Sequence, residues 1–334
     1  MSEYISEYAM RKELVLAASE IRKTVFWKNM QKRFSVISVV EPVSGKRNYC
    51  VFARSPFKCM YICESEEALK AVRDAVILET GEPDANFYID AIFLSFSDIP
   101  SDDAFAAALR KDGIRFPGRK SFPEFIRFRA LRSPSMPDKY DADSVALVAR
   151  TLSSASSLVL SGGYSFKPVF PELPSFSLEE GGLHSGVETV NDIFRHPVFT
   201  PESDDAVRNF IGSCSFENND VFESALFASP FFAFEDDKRP LRGEIYIAAS
   251  HSEGAFEIVD SDEYDPDDGP VGLADSFLGY IRKTGRIPGT LYARNMKTAY
   301  FLSSICESLG IRIKIAHSSP VYDFYAMCLV KAEE

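Results

Sequence analysis

Apolar positions along the first half of the chain change period repeatedly, and each change marks an element. Tyr4, Tyr8, Leu14, Ala17, Ile21 and Val25 recur at close to helical spacing with charges between them, which predicts a helix over 3–30. The period then drops to two. Phe34, Val36 and Ser38 alternate with Ser35 and Ile37, and VSGK supplies Gly45 for a turn with positive φ, so residues 33–53 read as a β-hairpin. FKCMYICE adds a third strand, and SEEALKAVRDAVILETG is a helix with acids in its first turn and Gly81 past its end. NFYIDAIFLSF is apolar throughout and predicts a central strand. SDDAFAAALRKDG is a helix with Ser101 as N-cap and Gly113 as stop. EFIRFRAL is a further strand, and residues 141–160 a further helix. Meandering strands with helices between them imply an α+β layer rather than a doubly wound sheet.

The pattern weakens at residues 166–186, where Gly, Pro and Ser alternate with scattered Phe. This stretch reads as a connector between a module over 1–165 and a second over 187–334. The second opens with two short helices, GVETVNDIFRH and ESDDAVRNFIGS, followed by the strand DVFESALFASPFFAF and a hairpin over 243–259. Helix 271–285, strand GTLYARN, helix 296–310 and strand IRIKIAH come next, and SPVYDFYAMCLVKA predicts a last helix. This order predicts a ββαβαβ-type crossover onto a parallel pair. The fold class is therefore α+β: two packed α/β modules with mixed sheets.

Several of these residues carry a resemblance. In the tail they are Arg294–Asn295, Leu309–Gly310–Ile311 and the strand IRIKI. In the first half they are Trp27, Phe34, Pro42, Gly45, Tyr49 and Cys50, with GRKSFPEFIRF further on. Together they resemble the two modules of a family of bacterial cytoplasmic proteins known only as domains of unknown function. The resemblance spans most of the chain and implies a fold and a cytoplasmic compartment, and it brings no activity with it.

Composition narrows the classes. Hydrophobic residues make up 46% and charged residues 26% of 334, the balance of a globular protein, and 28 Phe against one Trp demand extensive burial of rings. No run of about 18 apolar residues exists to span a membrane. MSEYISEYAMRKELVL places acids ahead of any apolar stretch, unlike a secretory leader. Of the six cysteines, Cys59 and Cys63 come nearest to a metal-ligand spacing. Four residues along a strand are roughly 13 Å, too far to share a zinc ion. The cysteines read as buried free thiols in a reducing cytoplasm, with no metal and no cofactor implied. Charge is uneven: residues 1–167 carry 24 Lys and Arg against 21 Asp and Glu, and residues 168–334 carry 13 against 28. The acidic half should repel nucleic acid and anionic membranes.

Candidate chemistry is sparse. At the junction of GTLYARN and its following helix, Asn295 is placed to cap the helix. Arg294, Lys297 and Thr298 surround free backbone N–H groups, an arrangement suited to a small anion. Residues 110–132 hold eight basic and two acidic side chains, including Arg119, and Phe125, Arg127 and Arg129 share one face of the strand. Such a strip can stack and clamp a single nucleic-acid strand. Its alternative is a half-buried strand whose arginines pair with the acidic second half. DSDEYDPDDG, residues 260–269, holds six carboxylates in ten but fits no calcium loop in either register. His184, His196, His251 and His317 lie far apart, and no P-loop, nucleophile elbow or dinucleotide fingerprint is present. No spacing demands catalysis. The leading function is a non-catalytic binding module for a protein partner or a second copy of the chain. Beside it stand a hydrolase acting on a phosphorylated small molecule and, less favoured, weak single-stranded nucleic-acid binding through 110–132.

Overall fold

The computed structural model describes residues 2–28, 34–53, 58–76, 85–98, 102–116, 121–161, 172–190, 212, 214–236, 239–252, 255–264, 271–294, 296–316 and 321. The chain divides into two compact units. One comprises 1–80, 88–130 and 134–194, and the other 81–87, 131–133 and 195–334.

In the first unit, helix α1 runs Ser2–Lys23 and is followed by a short α2, Val25–Lys28, so the expected single helix is broken. The break falls at Thr24, whose hydroxyl donates to Ile21 O at 2.7 Å and accepts from Trp27 N at 3.3 Å. Strands β1 (Phe34–Val40) and β2 (Arg47–Ala53) form the expected hairpin, with Gly45 at φ 72° in its turn. Then come β3 (Cys59–Cys63), α3 (Glu66–Val76), β4 (Ala91–Ser97), α4 (Asp103–Lys111), β5 (Phe122–Phe128) and α5 (Lys139–Leu160). Asp102, not Ser101, caps α4, its carboxylate accepting from Phe105 N at 2.9 Å. Strands β5 to β1 form an antiparallel meander in sheet order β5-β4-β3-β2-β1-β6-β7.

The last two strands correct the connector. Residues expected to link the modules form β6 (Glu172–Glu179) and β7 (Gly182–Thr189), and β6 runs parallel to β1 with Val39 opposite Phe176. Residues 186–189, expected to open a helix, lie in β7, and Val190 after it is not helical; residues 191–196 of that helix and ESDDAVRNFI fall outside the described residues. One face of the sheet packs Ile37, Cys50, Phe52, Ile62 and Phe176 against Ile21, Trp27, Val145 and Leu152 of α1, α2 and α5. The other packs Val36, Val51 and Leu173 against Leu69 and Val72 of α3. Each fully buried aromatic or aliphatic side chain contributes roughly 1.5–3 kcal/mol.

The second unit holds β8 (Ser215–Asp236), β9 (Arg239–Ser252), β10 (Ala255–Tyr264), α6 (Val271–Thr284), β11 (Arg286–Ala293), α7 (Met296–Phe301), α8 (Ser303–Leu309) and β12 (Arg312–Ile315). Its order is β10-β9-β8-β11-β12, antiparallel on the hairpin side and parallel from β8 through β11 to β12, the crossover that the pattern predicts. The helix expected over 296–310 is two, divided at Leu302, and Gly310 ends the second at φ 69°. The Phe-rich strand β8 is central: Phe222 and Leu226 pack under Phe277, Tyr280 and Ile305, while Ala225 and Phe227 face Ile247 and Val321 on the opposite side. Among the described residues, no helix is long and apolar enough to cross a membrane.

Candidate functional site

Helices α1 and α5 lie side by side on the sheet of the first unit, and their outer surfaces do not close over one another. Between them opens a groove of about 1860 Å³. Leu16 and Glu13 of α1, Trp27 and Lys28 of α2, Arg115 and Phe116 before β5, Tyr140 and Arg150 of α5, and Leu178 of β6 line it. Leu16 is 46% and Tyr140 82% exposed, so apolar and aromatic surface faces solvent here. Seven Lys and Arg side chains border the groove against four Asp and Glu. Some are engaged locally: Lys23 pairs with Glu20 at 2.7 Å and Lys58 Nζ donates to Trp27 O at 3.5 Å. Lys28, Arg115 and Arg150 are exposed on its rim.

The floor near the start of α5 is polar. Glu64 Oε1 accepts from Lys46 Nζ at 2.8 Å and from Ser144 Oγ at 3.0 Å, and both donors line the groove. Burial alone would raise the Glu64 carboxyl, but the hydrogen bond and charge of Lys46, with Ser144, hold it below the ordinary glutamate range. Asn48 lines the same groove and is 1% exposed.

Beneath this floor lies an ion cluster that redefines the basic strand. Phe125 is a core residue, and Arg127, 3% exposed, reaches Asp90 at 2.7 Å and Asp141 at 3.1 Å, the latter outside hydrogen-bond geometry. Burial raises the Asp141 carboxyl despite its capping-box hydrogen bond from Asp138 N and the nearby guanidinium. Arg129 stands 3.9 Å from Asp138. The arginines of this strand therefore find their acids within their own unit, not in the acidic second half, because the backbone bridge between Arg127 and Ser135 holds the start of α5, with Asp138 and Asp141, beside β5. Phe125 and Arg127 offer neither a ring face nor a guanidinium to solvent. Arg119 lies outside the described residues.

The Arg294 corner is equally enclosed. Arg294 is 2% exposed and donates from Nη1 to Ala316 O at 3.1 Å, while its N–H donates to Ser224 O at 3.1 Å. Thr298, fully buried, accepts from Leu226 N at 3.1 Å. The two residues join the ends of β8, β11 and β12. Asn295 and the side chain of Lys297 lie outside the described residues.

One pair escapes sequence reading altogether. On the far face of the second sheet, His251 Nε2 lies 2.9 Å from Oε2 of Glu223, a carboxylate only 1% exposed. These residues are 28 apart, and only the β8–β9 register, Val221 opposite His251, brings them together.

Residues 12–162 match the model of a domain of unknown function, DUF7309, and residues 215–326 match that of another, DUF6930. The two matches together cover most of the chain. No curated protein matches it.

Proposed function

We propose that this chain, a two-module protein built from two domains of unknown function, is a non-catalytic binding protein whose first module takes an acidic polypeptide segment in the α1/α5 groove. The observation that carries this reading is the groove itself: long, open to solvent, with apolar and aromatic patches at Leu16 and Tyr140 and a surplus of cations on its rim. Such a surface suits an amphipathic acidic chain better than a small molecule, which is held in an enclosed pocket with convergent polar groups.

The test is fluorescence anisotropy with a labelled Glu/Leu-rich peptide of about 12 residues, roughly 40 Å when extended, at low and moderate salt. Salt-sensitive binding is expected, weakened at least about tenfold in the double variant R115E/R150E by loss of two cationic rim contacts. Absence of binding at low salt, or equal affinity in the charge-reversed variant, refutes the reading. A second reading rests on Arg115 and Phe116, which come from the basic stretch and line the groove. If a single-stranded oligonucleotide outcompetes the peptide with a steeper salt dependence, nucleic acid takes its place.

A further inference from the structure

Strand β10 is the end strand of the second sheet, beside β9. It carries Glu257, Asp260, Asp262 and Glu263 and neither Lys nor Arg. Glu257, Ile258, Asp262 and Glu263 are exposed. Asp260 accepts from the Tyr246 hydroxyl and Asp262 from the Glu263 N–H. Among the described residues none of the four acids has a Lys or Arg partner. A bulge between Ile258 and Asp260 shifts the register. Bulge and charge together discourage another strand from extending the sheet at this edge. What the edge offers a partner is therefore side chains: carboxylates beside one apolar group. The groove of the first unit offers the complement. Lys28, Arg115 and Arg150 are exposed on its rim, near Leu16 and Tyr140, and among the described residues they have no carboxylate partner.

We propose that the acidic segment received by the groove is β10 of a second copy of this chain. The inference rests on the reading of the groove as a polypeptide site and names its occupant. Charge carries the choice. Residues 168–334 hold 28 Asp and Glu against 13 Lys and Arg. Within that half β8 buries Asp220 and Glu223, whereas β10 turns Glu257, Asp262 and Glu263 to solvent. Opposite charges left uncompensated on two surfaces steer those surfaces together and fix their register. The carboxylates of β10 meet the cations of the rim, and Ile258 meets the apolar surface at Leu16 and Tyr140. Groove and strand are unlike surfaces, so a single contact leaves each copy of the pair with one of the two still open.

The experiment is sedimentation equilibrium of the full chain at low and moderate salt. At low salt the average mass should rise above the monomer with concentration, and salt should return it to the monomer. The groove variant R115E/R150E and the strand variant D262K/E263K should each associate at least about tenfold more weakly than the parent. Mixed in equal amounts, they should form a dimer that grows no further, because only the intact β10 of one and the intact groove of the other can meet. D262N/E263Q, which removes the charge and keeps the shape, replaces the lysine pair should that variant fold poorly. A parent that stays monomeric at low salt, an association that either variant leaves unchanged, or folded variants that remain monomers on mixing overturns the inference. The acidic probe peptide separates the two readings. If it binds a chain that fails these tests, the groove reading stands without its proposed occupant; if it does not bind at low salt, both fall.

Discussion

His251 and Glu223 face each other across the β8–β9 ladder at 2.9 Å, and the carboxylate is withdrawn from solvent to 1%. The His251 ring is 29% exposed, so its removal leaves the buried carboxylate without its partner, whereas loss of the carboxylate leaves a ring that water can reach. His251→Phe should lower unfolding free energy by about 3 kcal/mol in urea titration, whereas Glu223→Gln, which keeps a hydrogen-bonding group, should cost less than half as much. Equal losses would mean that the imidazole contributes packing alone.

Arg127 compensates two acids, Asp90 and Asp141, from a position 3% exposed. Arg127→Met should destabilise the protein by about 3–5 kcal/mol. The double variant R127M/D141N, with the buried charge gone as well, should recover much of that loss. Denaturant melts of the two variants decide it: additive losses would show that the cluster acts through packing alone.

Glu64 supplies a pH dependence. Its folded pKa is lowered relative to 4.5, so the stability from its contact with Lys46 is present above the unfolded value and lost as pH falls through the folded one. Lys46 is 44% and Glu64 29% exposed on their side chains, which limits the pair to about 1 kcal/mol or less after solvent screening. Lys46→Met should therefore be less stable than the parent at neutral pH, and the two curves should converge in the acid range below 4.5. A gap that stays constant with pH would place the effect outside this ion pair.

Thr298 accepts the N–H of Leu226 inside the second sheet. Thr298→Val has nearly the same shape and should cost about 1–3 kcal/mol through the orphaned donor, while Thr298→Ser retains the acceptor and should cost less. Hydrogen exchange at the Leu226 amide reports the contact directly: protection lost in the valine variant and kept in the serine one.

Local grammar was readable wherever one element had one exposed face. The β1–β2 hairpin, the helix of α5 and the α–β alternation after residue 271 all appear in the period and the turn glycines. Strand β6 did not, because it is buried on both sides: Leu173 enters one core and Phe176 the other, so no two-residue alternation survives, and Pro174 and the flanking glycines read as loop. The groove was invisible for a related reason. It is assembled from α1, α2, β2, β6, α5 and the segment before β5, and no single stretch carries its chemistry. The basic strip at 110–132 stands out by composition, but Arg127 and Arg129 answer to Asp90, Asp138 and Asp141, acids whose proximity depends on the bridge from Arg127 to Ser135 ahead of α5.

The parallel pairing of β6 with β1 means that the first module is finished by residues made after α5. A fragment ending at residue 162, where the first family match stops, would bare the edge of β1 at Ser38–Val40 and remove Phe176 from the core. An uncapped strand edge above an opened apolar surface is a template for self-association. On the ribosome the same condition is a timing problem, since β1 waits unpaired on one side until residues 175–177 emerge more than 130 positions later. The smallest autonomous piece of this module is then one that reaches past Thr189 to include the fully buried Val190, and shorter ones should collect as insoluble oligomers.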